Sequence, residues 1–271
     1  MIRFLILAGY FELTMYLQLS GKLNQYINLH YSYLAYISMF LSFVLALVQL
    51  IIWVKQMKIH SHLSGFWAKV ASIFLLCIPL FVGLFFPTVT LDSQTVSAKG
   101  YHFPVAAGSS KEIQQDEGTT TQYLKPDTSS YFTKSAYESE MKQAAKKYVD
   151  KKVIQVTTEN YMEVMEVIYD YPDQFAGKTI ELIGFVYNDP NNKDSQFLFR
   201  FGIIHCIADS GVYGLLTTGA PQHFENNTWI HAKGTLSIEY HKQLKQSLPV
   251  LHISDCQTIT KPDNPYVYRV F

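Results

Sequence analysis

A membrane-anchored α+β protein is the fold class predicted here: three N-terminal transmembrane helices, then a soluble domain with two helices and a five-stranded barrel. Three observations predict it. Apolar runs crowd the first ninety residues, a polar stretch without sustained periodicity follows, and the remainder switches from a helical to a two-residue apolar period. The organisation expected is an anchor over 1–89, a polar linker over 90–133 and a soluble domain over 134–271.

Crossing a bilayer's hydrocarbon layer takes about 20 mostly apolar helical residues, because each residue rises only ~1.5 Å. The predicted spans cover residues 2–19, 34–54 and 66–86. The second is nearly free of polar groups; the third contains Pro79 and Gly83. The first carries Glu12, whose carboxylate near mid-membrane costs roughly a few kcal/mol unless it is protonated, paired or turned toward another helix. A cleaved signal peptide is the competing reading of that run. Gln18 to Tyr26 offers no Ala-x-Ala-like cleavage site, so the run is read as a span.

Lys and Arg in short loops stay on the cytoplasmic side. Arg3, Lys55, Lys58 and Lys69 would lie on one side, against Lys22 and Lys99 on the other. The expected orientation is therefore N-terminus cytoplasmic and C-terminal domain extracytoplasmic, with the lipid bilayer as a partner. Lys and Arg total 22, as do Asp and Glu, which argues against the concentrated basic face of a nucleic-acid binder. Lys142, Lys146, Lys147, Lys151 and Lys152 cluster, but Glu138, Glu140 and Asp150 accompany them, as on a solvated helix face.

Cys77 falls within the third span, where a small polarizable side chain packs well. Cys206 and Cys256 share the soluble domain; a disulfide needs their Cα atoms within ~7 Å, and two cysteines do not establish a framework. The segment 90–133 is rich in Ser, Thr, Gly, Gln and Asp, as a tether is. A helix over 135–151 follows, placing Ala136, Tyr137, Met141, Ala144, Ala145 and Tyr148 on one face. A second helix over 158–171 takes Thr158 as N-cap and Glu159 in its first turn, with Tyr161, Val164, Met165 and Ile168 as an apolar stripe. Pro172 and Gly177 end it.

Strands are expected at 178–187, 196–209, 212–217, 228–236 and 248–254, with Asn188 to Asn192 as a hairpin loop. In the second strand Phe197, Phe199, Phe201 and Ile203 project to one face and Arg200 to the other, while Gly202 invites a bulge. Five short strands with uneven loops suit a barrel of the oligonucleotide/oligosaccharide-binding (OB) type over 178–258. That architecture fixes no function.

Several stretches carry a family likeness: Arg-Phe-Leu-Ile-Leu-Ala-Gly-Tyr from Arg3, the Ser20-Gly21 break, and Ile78-Pro79-Leu80 through Phe86-Pro87 to Leu91-Asp92-Ser93. Gly184-Phe185-Val186, the run from Arg200 to Asp209, and Pro265-Tyr266-Val267-Tyr268 add to it. In these the chain resembles the bacterial YcgQ-like, or DUF1980, family of permease subunits, across both the spans and the barrel. The resemblance implies a bacterial plasma-membrane accessory protein whose partner is a larger multi-spanning permease. Where the family motif tends to carry two adjacent cysteines, this chain has His205 before Cys206.

Two places have metal-ligating residue types. His60 and His62 form a His-x-His that can reach a metal such as zinc, although a closed site needs four ligands; a polar interfacial loop is the plainer reading. His205, Cys206 and Asp209, with Arg200, form a candidate ligand-binding set. Strand neighbours point to opposite faces, so these converge only if a bulge intervenes; otherwise Cys206 is a small core residue and Asp209 opens a turn at Ser210-Gly211. Glu12 and Gly83 are the candidate partner-facing residues in the membrane.

No phosphate-cradling Gly-rich loop with Lys, no His-Glu-x-x-His and no Gly-x-Ser-x-Gly occurs. The expected function is an accessory subunit of a permease, aiding transport of a metal ion or other small solute, and not an enzyme. The alternatives are a stand-alone surface module that binds a metal or ligand, and a membrane enzyme built on Arg200, His205 and Asp209.

Overall fold

The computed structural model describes residues 1–57, 65–86, 90–100, 134–190, 196–241 and 246–269. It divides into two compact units, Met1–Thr90 and Leu91–Phe271.

The first unit consists of α1 (Ile2–Leu19), α2 (Ser32–Val54) and α3 (Phe66–Phe85), each long and apolar enough to cross a membrane. Two close contacts join α1 to α3. A Cβ on Gly9 would lie 3.0 Å from Leu80 Cδ1, and one on Gly83 would lie 2.9 Å from Leu13 Cδ2, so the missing side chains let these helices meet. The Tyr10 hydroxyl donates to the Leu76 carbonyl at 2.9 Å, a polar tie between α1 and α3. Phe11 packs on Phe43 of α2 with ring centroids 5.3 Å apart.

The second unit holds α4 (Ser93–Lys99), α5 (Lys134–Val149), α6 (Tyr161–Asp170) and α7 (Pro172–Phe175). Its strands are β1 (Val153–Gln155), β2 (Thr179–Asn188), β3 (Gln196–Ile203), β4 (Gly211–Thr218), β5 (Trp229–His241), β6 (Gln246–Thr258) and β7 (Tyr266–Tyr268). They form one mixed sheet in the order β1-β2-β5-β6-β4-β3-β7, with β2 also pairing β3. The antiparallel pairs are β2–β3, β3–β4, β5–β6 and β2–β5; β4–β6, β1–β2 and β3–β7 are parallel. Pairings therefore run in a closed circuit from β2 through β3, β4, β6 and β5 back to β2.

Several expectations change. The sheet has seven strands, because short parallel strands β1 and β7 lie outside the circuit. The strand expected over 196–209 stops at Ile203, and residues 207–209 form a 3-10 turn. The bulge falls between Lys233 and Gly234, while the β3–β4 register runs unbroken as far as its last pair, Gly202↔Gly211. Gly202 serves packing instead: a Cβ there would lie 2.6 Å from the Tyr213 ring and 2.8 Å from Met162 Sδ. Asn160, not Thr158, occupies the N-cap of α6, its side chain accepting from Thr157 N–H and donating to the Gln155 carbonyl. The opening of the stretch expected as linker is folded: Asp92 caps α4 by accepting from the Gln94 and Thr95 amides, and Val96 is only 1% exposed.

Every residue of β3 is buried. On one face Phe197 stacks on Phe199 at 5.2 Å and Phe201 on Phe185 at 5.6 Å. Full burial of each such ring is worth about 2–3 kcal/mol. The opposite face is covered by α6, whose Tyr161 and Met162 meet Arg200 and Gly202. Met141, Ala144, Ala145 and Tyr148 of α5 are buried, and Lys147 and Tyr148 donate to Glu163 of α6 at 2.8 and 2.6 Å.

Candidate functional site

In α1, Ile6 is buried, whereas Leu5, Glu12, Met15, Tyr16 and Leu19 are exposed along one side, at the three- and four-residue spacing of a helix face. Glu12 stands mid-helix in this face, and no hydrogen bond or ion pair satisfies it among the described residues. Gly83, the other residue expected to face a partner, is filled by Leu13 of the same chain. The two therefore do different things: one exposes a carboxyl group, the other seats a neighbouring helix.

His205, Cys206 and Asp209 come together in the turn after β3. The Asp209 carboxylate accepts from the His205 and Cys206 amides, both at 3.0 Å, and lies 2.7 Å from His205 Nδ1. The Cys206 side chain in return accepts from the Asp209 amide, completing a capping box. This geometry closes the loop and occupies the carboxylate within it. Nearby, Lys99 of α4 donates to the Ser210 hydroxyl and carbonyl at 3.2 and 3.4 Å.

Arg200 makes no hydrogen bond or ion pair with those three residues. It is 3% exposed, and its guanidinium donates to the carbonyls of Asn264, Pro265 and Tyr266 and to the Thr158 hydroxyl at 2.9–3.2 Å. The Tyr161 and Trp229 ring centroids lie 5.7 and 5.8 Å from its central carbon. Burial lowers its pKa from the ordinary value, and the Tyr161 and Tyr268 phenols and Glu159 oppose that shift. Cys206 and Cys256 are both free thiols, and burial followed by the Asp255 charge pushes the Cys256 thiol up. His60 and His62 lie outside the described residues.

One polar cluster escaped sequence reasoning. His252 meets Thr218 Oγ1 at 2.8 Å, Ser237 Oγ at 2.8 Å and Glu239 Oε1 at 2.6 Å, all on the exposed side of β4, β5 and β6. The signal is the register that sets Thr218 beside His252, which a single sequence does not reveal. Among the described residues, no group of three or more His, Cys, Asp or Glu is placed to hold a metal ion.

Family models match in two pieces: the DUF1980 N-terminal domain over residues 2–102 and the DUF1980 C-terminal domain over residues 131–269. A Streptococcus mutans protein named "Putative two-component membrane permease complex subunit" is 68% identical over 271 residues, covering 100% of both chains. The Bacillus subtilis "UPF0703 protein YcgQ" is 40% identical over 291 residues, again covering 100% of both. Matched along both of its units, the chain belongs to the DUF1980 family.

Proposed function

We propose that the protein is the accessory subunit of a membrane permease complex, docked through α1 on a larger multi-spanning partner, with its β-module outside the cytoplasm. The observation that carries this is the exposed Glu12. Lipid tails offer a carboxylate no donor, and a charge at that depth costs roughly 3 kcal/mol or more, so a helix displaying one outward is suited to a protein neighbour that supplies a donor. The name of the Streptococcus mutans relative, a permease complex subunit, supports the same reading. The closed circuit of β2, β3, β4, β6 and β5, with β4–β6 its one parallel pair, supports an OB-like five-stranded barrel as the external module.

Affinity purification of the tagged full chain from its own bacterium in mild detergent tests the assignment. A multi-spanning partner should copurify in fixed ratio. Glu12→Leu should release at least roughly nine-tenths of it while leaving the chain in the membrane, and Glu12→Gln, which keeps a hydrogen-bonding group, should retain more. Equal retention by wild type and Glu12→Leu would remove α1 as the docking face.

A further inference from the structure

The three helices of the first unit leave a cavity of about 930 Å³ between the start of α1, the end of α2 and the start of α3. Its walls have two characters. Ile6, Leu7, Ile73 and Leu76 are among its apolar lining, while Arg3 and Lys69 bring two cations, and no Asp or Glu is among its lining residues.

These cations sit in an electrostatically adverse place. Arg3 lies in the first turn of α1 and Lys69 in that of α3, and neither helix has an acidic residue in its first turn or a side-chain hydrogen bond at its N-cap. The positive end of a helix dipole disfavours a cation, so two such placements around one cavity call for an anion. The apolar lining excludes a small hydrated ion as sufficient occupant, because it would leave that surface uncovered. In helices long and apolar enough for a bilayer, the molecule that joins a negative headgroup to an apolar chain is an anionic phospholipid.

We propose that this cavity binds one anionic phospholipid, with the headgroup phosphate between Arg3 and Lys69 and an acyl chain running over Ile6 and Leu76. Trp53, an amphipathic ring at the end of α2, sits where interfacial tryptophans meet lipid headgroups. The site is independent of the Glu12 face and requires no permease. A lipid held there would fix α3 against α1 at the end opposite the Gly83–Leu13 contact.

The test is native mass spectrometry of the full chain in mild detergent, titrated with phosphatidylglycerol or with phosphatidylcholine of identical acyl chains. One phosphatidylglycerol should be retained roughly tenfold more strongly than phosphatidylcholine, as expected for two basic residues near a headgroup. The Arg3→Gln/Lys69→Gln double variant should lose that preference, and the charge-conserving Arg3→Lys/Lys69→Arg pair should keep it. Inorganic phosphate in excess should leave the lipid bound, since a site for the anion alone would release it. In an otherwise unaltered chain, a photoreactive amino acid in place of Ser72, which also lines the cavity, should cross-link to lipid in cell membranes. Equal retention of the two lipids, a preference that survives the double glutamine variant, displacement by phosphate, or cross-linking to a protein would each overturn the proposal.

Discussion

Arg200 is a buried cation balanced by dipoles: three carbonyls and a hydroxyl surround it, and two aromatic faces flank it. Arg200→Met would strand two buried carbonyl acceptors and a half-buried third. Chemical denaturation of the full chain in detergent should show a loss of about 3 kcal/mol, with faster amide exchange over residues 264–268. Arg200→Lys should recover only a fraction, since one ammonium cannot span acceptors that now meet three nitrogens. That a lone charge in the apolar run of β3 matters is legible in the sequence. Its duty is not, because its carbonyl acceptors arrive 64 to 66 residues downstream and its hydroxyl acceptor 42 residues upstream. The same holds for Asp209, expected to open a turn at Ser210-Gly211 but found ending the turn before it with its carboxylate on the His205 and Cys206 amides, and for His252, whose neighbours are set by pairing. Buried phenols give a second prediction. Burial chiefly holds Tyr161, Tyr169 and Tyr213 above the ordinary value of 10.0, and raises Tyr268 to about 12. Their neutral forms belong to the folded state, so that contribution is complete below pH 10 and is lost as pH rises from there through the folded values. Denaturation midpoints should fall above pH 10, and tyrosinate absorbance should rise in a late step that coincides with unfolding.

At the scale of elements, long apolar patterns were the readable part: the spans and the aromatic alternation of β3 follow from period and length alone. Strands β1 and β7 were not, since three residues are too few to display a period, and both exist because β2 and β3 offer an edge. Both β5 and β6 outrun their expected ends, because partnership carries the hairpin to His241↔Gln246 after the apolar alternation fades. The sharpest test of the circuit is Gly214, in register with Phe199. A Cβ there would lie 1.9 Å from the Leu198 carbonyl oxygen, and its amide is already held by the Tyr169 hydroxyl at 2.9 Å. Gly214→Ala should cost more than about 3 kcal/mol or abolish folding, by the same denaturation measurement. Gly177→Ala, at φ +79° but with open space around it, should cost only about 1 kcal/mol.

For the whole molecule, orientation is the property on which the proposed role depends, and Cys256 reports it. In a Cys77→Ala/Cys206→Ala background, a membrane-impermeant maleimide should label Cys256 in intact cells; labelling only after lysis would place the β-module inside. Because its thiol is pushed up, labelling should be slow near neutrality and quicken as pH rises toward the thiol's raised value. The Leu91 amide donates to the Tyr266 hydroxyl at 3.0 Å, and Ser93 N–H to Asn227 Oδ1 at 2.8 Å. The module is thus laced shut where its chain enters, with the knot tied by a residue from its last strand. A protease that trimmed the chain back to Asn264 would strip Arg200 of two acceptors and untie the entrance in one cut, so the two ends of the β-module would loosen together.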